Sequence, residues 1–308
     1  MAKARAIVKR RKAVRNIRKI TKTMQMIATA KFQKALKRAQ GTKPYSRKVR
    51  ELVKELAGTM GKVDNPLLRQ PNETDRTNRI ALLVITSNRG LAGAYNGTVL
   101  RAAGAFIREQ EAAGKVVELH VSGKKAINYF NYQKRPIAER YDQFADMPRF
   151  ADVDRVAEEF MRRFIAAELD SVHVAYMNFL SAGVQKAEVL TLLPLAGVEA
   201  QGTGAGAAKP SPDPAAGQLT AQTIYDFYPS ADELLGELLP LTVKATLFQC
   251  FLDATTSENV ARMVAMKSAT DNADKMVKSL TMRYNRARQS QITTELSEIM
   301  GGVEAMEG

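Results

Sequence analysis

The first forty residues carry apolar side chains at the spacing of a helix that packs against a second helix. Steps of three, four or seven residues predict a narrow coiled-coil seam, formed by Ile7, Val14, Ile17, Ile20, Met24 and Ile27. Residues 2–40 contain neither Pro nor Gly, so a helix of ~55–60 Å is possible at ~1.5 Å per residue. Gly41 and Pro44 predict a break or kink within a long N-terminal helix over residues 1–57. An ordinary core-facing stripe is the alternative, because spacing alone does not separate the two.

The C-terminal part of the chain, residues 230–308, shows a second long helical pattern. Ser230 is a candidate N-cap and Pro240 predicts an interruption, after which residues 242–300 contain neither Pro nor Gly. A stripe at steps of three to five residues comprises Val277, Leu280, Tyr284, Ala287, Gln291, Leu296, Ile299 and Val303. Neither long helix is apolar enough to be buried all round, so we expect the two to pack on each other as an antiparallel coiled coil.

Between the two helical regions, residues 78–195 alternate strand and helix patterns. Apolar runs at 80–86, 115–121, 171–179 and 187–195 predict strands, and amphipathic segments separate the first three of them. This order is typical of an α/β fold with a largely parallel, Rossmann-like sheet. Residues 196–229 are a connection that begins with Gly, Ala and Pro over 197–219, a composition that predicts a flexible insert.

The positive charge of the chain is concentrated at its start. The net charge is +14, yet residues 1–50 hold 18 Lys and Arg and no Asp or Glu, whereas the remainder holds 28 basic and 32 acidic residues. A nucleic-acid-binding segment, a transit peptide and a structural helix facing an acidic protein are the three interpretations. The long seam disfavours a transit peptide. Only Phe32 and Tyr45 could stack on bases in this segment, which disfavours nucleic acid.

No set of residues in the sequence predicts catalysis, a metal site or a cofactor. His120 and His173 lie in strand patterns, and the single cysteine, Cys250, lies on an apolar helix face and is expected in the core. The segment "SGKKA" lacks the remaining positions of a phosphate-binding loop. In "TSNRGLAGAYNG" we expect a tight turn, with Gly90 left-handed and Gly93 allowing close packing. A nucleotide-binding α/β enzyme is nevertheless a competing hypothesis, because this turn joins a strand to a helix.

Four segments, in the same order along the chain, resemble the signature blocks of the γ subunit of the rotary ATP synthase. The likeness spans essentially the whole chain, and the blocks lie at residues 17–35, 86–96, 257–273 and 284–302. Two departures are local. Asn88 stands where the family commonly has Asp, and the insert at 197–219 is longer than the usual connection.

This resemblance implies a rotor rather than an enzyme. In the family, the terminal helices form a shaft inside a hexamer of α and β subunits, and the α/β domain is a foot that contacts the ε subunit and the c-ring. One such chain per complex couples proton-driven ring rotation to conformational change at the catalytic β subunits, and it has no active site of its own. The resemblance also implies a peripheral position on the cytoplasmic face of a bacterial plasma (inner) membrane, without nucleic acid as a partner.

The resemblance assigns roles to particular side chains. Arg288 and Gln289 match residues that form a catch with a loop of the β subunits, and Thr293, Glu295 and Arg262 match positions tied to that contact. Met24 matches a shaft position near an acidic β segment. Tyr225, Phe227 and Tyr228 match an aromatic stretch of the foot near the ring and ε. A solvated helix face is the alternative for the shaft residues, and core packing is the alternative for the three aromatic residues.

Overall fold

The computed structural model describes residues 2–60, 65–68, 77–142, 144, 147–195 and 231–307, which form two long helices, three shorter ones, a 3₁₀ turn and a five-stranded sheet. They divide into two units. The coiled-coil unit comprises Met1–Gln33, Leu91–Gly93 and Asn259–Gly308, and the sheet unit comprises Lys34–Gly90 and Ala94–Glu258. The predicted insert and the aromatic residues Tyr225, Phe227 and Tyr228 lie outside the described residues.

Each terminal helix continues through its proline. Helix α1 spans Ala2–Met60 and contains Pro44, so a break there is wrong, while a bend near 41–44 stays a prediction. Helix α5 spans Ala231–Glu307 and contains Pro240, so the predicted interruption is also wrong. Leu235, Leu239 and Val243 beside Pro240 are buried. Their burial, at about 1.5–3 kcal/mol for each large side chain, outweighs the roughly 3 kcal/mol that proline costs inside a helix.

Within the coiled-coil unit, the two helices are antiparallel. Arg11 lies over the Tyr284 ring at 5.0 Å, Arg18 forms an ion pair with Asp274, and Thr270 donates a hydrogen bond to Thr21 at 2.8 Å. The partner on α5 therefore moves back along its helix as the chain moves forward along α1. This direction was expected from the sequence.

The contact seam of the coiled-coil unit repeats in steps of four and three residues on both helices. On α1 it comprises Ile7, Arg11, Val14, Arg18, Thr21, Gln25 and Ala28. On α5 it comprises Met266, Thr270, Ala273, Val277, Leu280, Tyr284, Ala287 and Gln291. A mean period of 3.5 residues keeps such a seam facing its partner in a left-handed coiled coil.

Several residues predicted for the seam lie outside it. Ile17, Ile20 and Ile27 are 53%, 59% and 51% exposed, because each directly precedes a seam position and so points about 100° away from it. Leu296, Ile299 and Val303 near the end of α5 are also exposed. Ile7 and Val14 were predicted correctly: Val14 is buried with Ala273 and Leu280, and Ile7 packs against this cluster.

The sheet unit contains strands in the order β3-β2-β1-β4-β5. Their bounds are β1 Arg79–Ile85, β2 Val116–Ser122, β3 Glu139–Tyr141, β4 Ser171–Phe179 and β5 Gln185–Leu193. The first four are parallel and β5 pairs antiparallel with β4, which confirms a largely parallel sheet. Helices α2 (Tyr95–Ala112), α3 (Lys124–Tyr132) and α4 (Phe150–Ile165) connect them, and a short 3₁₀ helix spans Pro66–Leu68. The sequence did not predict the three-residue strand β3.

Both faces of the sheet are covered. Ala81, Leu83 and Ile85 of β1 belong to one apolar core with α4, α5 and the later part of α1. Ile80, Leu82 and Val84 are fully buried on the other face, where α2 packs. Burial of both faces explains why β1 is an unbroken apolar run rather than an alternating one.

Helix α5 contains, within Glu233–Val303, a window long and apolar enough to cross a membrane, and 56% of that window is buried inside the protein. This degree of burial is typical of a core helix.

Candidate functional site

Four of the residues predicted for the catch lie within two turns of α5, all on its exposed surface. Arg288, Gln289, Thr293 and Glu295 are exposed. The Thr293 hydroxyl donates to the carbonyl oxygen of Gln289 at 3.0 Å, and Gln291 Nε2 donates to Glu295 Oε1 at 2.8 Å. These bonds run along the helix itself, so the outer faces of Arg288 and Gln289 are open to a partner.

The other two predicted shaft residues lie apart from this cluster. Arg262 is half-buried and precedes Arg288 by 26 positions, a distance of about 39 Å along a helix. Met24, also half-buried, follows Thr21 on α1, and the antiparallel register carries it toward the part of α5 that holds Arg262. The structure therefore separates the six candidates into a group near the end of α5 and a group in the middle of the coiled-coil unit.

Beyond Gln291, helix α5 exposes a row of apolar side chains. Ile292, Leu296 and Ile299 are 47%, 56% and 64% exposed, and Met300 and Val303 are exposed as well. Large exposed apolar surface at one end of a helix is typical of a binding surface rather than of a solvated tail. Leu296, Ile299 and Val303 were predicted for the seam, and Ile292 and Met300 were assigned no role, so this surface was missed. In the antiparallel register the start of α1 lies opposite Gln291, and α5 extends past Gln291. The predicted lengths of the two helices were therefore the sequence signal that could have located this surface.

The basic side chains of α1 lie mostly on its outer surface. The exposed ones include Lys9, Lys12, Arg15, Lys19 and Lys22. Arg11 and Arg18 contact Tyr284 and Asp274 of α5, and Arg18 remains half exposed while doing so. A row of exposed cations attracts an acidic partner at long range without fixing one orientation.

The turn after β1 is fixed by Asn88. Its Nδ2 donates to the carbonyl oxygen of Phe144 at 2.9 Å, and its Oδ1 accepts from the backbone N–H of Lys124 at 3.1 Å. Gly93 has φ of 56° and a Cβ there would lie 3.7 Å from Ala265 Cβ, so its role in close packing is confirmed. The left-handed residue expected at Gly90 is instead Leu91, with φ of 65°.

The crevice at the carboxyl ends of β1 and β2, where many α/β folds bind nucleotides, is filled. Thr86, Asn88 and Ser122 line it from the sheet side, and Phe251 and Glu258 close it from α5. A cavity of about 40 Å³ is left. Small-molecule sites are about 300–1,000 Å³, so this crevice is too small for a nucleotide.

The buried histidine His120 is held in a hydrogen-bonded chain. Its Nε2 lies 3.1 Å from Glu118 Oε1 and its Nδ1 lies 3.3 Å from the Tyr141 hydroxyl. Arg163 binds both oxygens of Glu118, and this hydrogen bonding holds the pKa of Glu118 below its usual value. Burial lowers the pKa of His120, so its imidazole is neutral at neutral pH. Because both ring nitrogens are engaged, His120 acts as a packed core residue.

His173 is a packed residue as well. It lies against Phe106, and its ring nitrogens contact the hydroxyls of Ser171 and Thr191 at 2.8 and 3.2 Å. Burial lowers its pKa to about 4. Cys250 is buried in the core of the sheet unit, as expected. The described residues contain no group of three or more His, Cys, Asp or Glu side chains placed to hold a metal ion.

Comparisons with known proteins cover nearly the whole chain. A family model described as ATP synthase matches residues 3–306. A protein of Rhodopirellula baltica named ATP synthase gamma chain is 43% identical over 308 residues, covering 100% of both chains. One of Leptospira biflexa with the same name is 40% identical over 306 residues, covering 99% of this chain and 100% of the relative.

Two solved structures share the fold. A chain of the Euglena gracilis mitochondrial ATP synthase (OSCP/F1/c-ring) aligns with a TM-score of 0.65 at 19% identity, covering 99% of this chain and 95% of that one. A chain of the Tetrahymena thermophila mitochondrial ATP synthase central stalk and c-ring aligns with a TM-score of 0.55 at 18% identity, covering 81% and 99%.

Proposed function

This chain belongs to the family of ATP synthase gamma chains, and from that premise we propose that it is the central-stalk rotor subunit of a proton-translocating ATP synthase. In this role it couples c-ring rotation to conformational change at the catalytic β subunits. The complex is the enzyme, and this chain is a non-catalytic subunit of it.

The antiparallel coiled coil of α1 and α5 is the observation that carries the proposal. Its seam of 3.5-residue period joins the two ends of the chain into one two-helix shaft. A shaft needs an outer surface that can contact its surroundings and release them. The exposed side chains around Arg288 and Gln289, and the cations along α1, are contacts of this kind, because exposed polar pairs each contribute only about 0–1 kcal/mol.

The partners follow from membership in the complex. We propose that the shaft lies within a hexamer of α and β subunits, that the sheet unit contacts the ε subunit and the c-ring, and that one copy is present per complex. We further propose that the chain is peripheral, on the cytoplasmic face of a bacterial inner membrane. The solved chains that share this fold support a place in an assembly with a c-ring, since one belongs to an assembly with F1 and a c-ring and another to a central stalk with a c-ring.

Co-purification from the native cell tests the assignment. The chain is tagged, the membranes are solubilised gently, and the eluted proteins are identified. We expect α, β and ε subunits and the c-ring in a complex that hydrolyses nucleotide. Recovery of nucleic acid, or of nothing, with the ATPase in other fractions would contradict the rotor assignment and would favour a phosphate-binding role for the basic surface of α1.

The catch is tested separately. We expect Arg288→Ala with Gln289→Ala to leave the complex assembled but to lower ATP turnover and coupling, because both side chains are exposed and contribute nothing to the seam. Lys278→Ala, another exposed cation on α5, is the matched control. Turnover equal to wild type in the double variant would remove Arg288 and Gln289 from the catch.

A further inference from the structure

An ionic cluster at the edge of the core, with an exposed lysine and a buried carboxylate, joins three elements of the sheet unit. The Lys43 ammonium on α1 lies 3.3 Å from the carbonyl oxygen of Phe179, the last residue of β4. The same ammonium lies 3.6 Å from Asp253 Oδ1 on α5. Helix α1, strand β4 and helix α5 therefore meet at one charged group.

The carboxylate of this cluster lies in the apolar core. Asp253 is only 4% exposed, and Leu252 and Ala254 beside it are buried. Gln249 Nε2 donates to Asp253 Oδ1 at 3.0 Å, whereas Gln249 Oε1 is buried without a hydrogen-bond partner among the described residues. Burial raises the pKa of Asp253 to about 6, and the nearby Glu188 carboxylate adds to this rise, while Lys43 opposes it.

This cluster is costly for a purely structural contact. The cost lies with Asp253: an apolar side chain of similar volume would hold its place at less cost, because a buried carboxylate loses its hydration and the half-exposed Lys43 offsets only part of that loss. Unlike apolar packing, the contacts of the Lys43 ammonium depend on its position relative to two fixed groups, the Phe179 carbonyl and the Asp253 carboxylate. Movement of α1 along the sheet would lengthen these contacts, so they oppose it, whereas apolar contacts are non-directional. The apolar contacts of α1 in this unit are modest, since Ala39, Val49 and Val53 supply its buried side chains nearby.

We propose that Lys43 and Asp253 are positioning residues that fix α1 to the end of β4 and to α5, so that turning force on the sheet unit reaches α1 without the helix sliding on the sheet. The proposal rests on the rotor function proposed above. It assigns no contact with a partner to either residue, and it places their action inside this chain.

The test uses the assembled complex in inverted membrane vesicles. ATP hydrolysis and ATP-driven proton uptake are measured in the same vesicles, and their ratio is the readout. The variants are Lys43→Met, the double variant Lys43→Met/Asp253→Leu, and the conservative Lys43→Arg. Lys48→Met is the matched control, because Lys48 lies on the same helix and pairs at 3.7 Å with Glu51 in an exposed ion pair.

Lys43→Met alone leaves a buried carboxylate without its cation, so we expect less assembled complex. In the double variant no charge is left unpaired, so assembly is expected to recover. The uptake-to-hydrolysis ratio is nevertheless expected to stay about twofold or more below wild type, because the directional contact is still missing. Lys43→Arg and Lys48→Met are expected to keep the wild-type ratio.

A wild-type ratio in the double variant would overturn the proposal and leave the pair as a structural contact only. An equal fall of the ratio in Lys48→Met would overturn it as well, because the effect would then belong to any lost charge on α1. Failure of the proposed rotor function gives a different result. In that case the wild-type chain would be absent from the ATPase of the vesicles, and the vesicles would still hydrolyse ATP and take up protons.

Discussion

Gly123, at the end of β2, offers a sharp test of the backbone geometry in the sheet unit. Its φ of 97° and ψ of 136° lie in a region that L side chains rarely adopt. A Cβ at this position would overlap the carbonyl oxygen of Thr86 and lie 2.7 Å from its carbonyl carbon. Thr86 cannot yield easily, because its backbone N–H donates to Ser122 O at 2.9 Å and its hydroxyl accepts from the Ala126 N–H at 3.0 Å.

The expected cost of Gly123→Ala has two parts. The positive φ costs about 1–2 kcal/mol for a residue with a Cβ. The overlap with a fixed backbone costs about 1–3 kcal/mol more, as overpacking of a core does. The sum, roughly 2–5 kcal/mol, is a large share of the roughly 5–15 kcal/mol by which a typical domain is stable.

Two other glycines separate these parts. Gly114 has φ of 76° with open space around it, so Gly114→Ala should cost only the backbone strain, about 1–2 kcal/mol. Gly97 lies inside α2 with open space and no positive φ, so Gly97→Ala should stabilise by about 0.5–1 kcal/mol. Urea unfolding of the purified full chain, followed by circular dichroism, gives the three free energies. Equal losses for Gly123→Ala and Gly114→Ala would refute the clash with Thr86.

Three further substitutions test other contacts by unfolding of the full chain. Asn88→Asp should destabilise by about 1 kcal/mol, because a carboxylate can accept from Lys124 but cannot donate to Phe144; no loss would contradict the role of the amide donor. Val14→Ala should destabilise by about 1–2 kcal/mol and Ile17→Ala by under about 0.5, because only Val14 is buried in the seam; the reverse order would contradict the seam. Asp253 has a folded pKa raised from 3.8 to about 6, so the stability it contributes is present at low pH and is lost as the pH rises through about 6. Relative to Asp253→Asn, the wild-type chain should therefore gain about 1.4 kcal/mol between roughly pH 7.5 and pH 5, and equal pH dependence of the two would contradict the raised pKa.

The secondary structure followed from local patterns wherever one pattern ran uninterrupted. The apolar runs of β1, β2 and β4, and the absence of Pro and Gly in most of α1, decided those elements. The prolines misled, because local sequence shows the cost of Pro240 but not the burial of Leu239 and Val243 that outweighs it.

The seam was predicted in direction but not in composition. The large apolar residues Ile17, Ile20 and Ile27 are exposed, whereas the strict seven-residue repeat of Ile7, Val14, Thr21 and Ala28 marks the positions that face α5. Thr21 is polar and Ala28 is small, so neither has the hydrophobicity that is typical of a seam position. The strict repeat was a signal that could have identified both residues.

The candidate site could be located only through the family resemblance. Arg288 and Gln289 are ordinary exposed helix residues by every local measure, and their importance depends on a partner outside this chain. The Lys43–Asp253 pair could not be predicted either, because the two residues are 210 positions apart and neither lies in a motif.

The hydrogen bond between Thr21 and Thr270 spans 249 positions, which has a consequence for how the protein is made. Ribosomes add about 5–20 residues per second, so the α1 half of the seam emerges roughly 12–50 s before its α5 partner exists. An isolated helix with a half-apolar stripe is only marginally stable in water over that interval. Nascent chains of this protein should therefore present α1 to chaperones, or to the wrong helix, until the last residues have been translated.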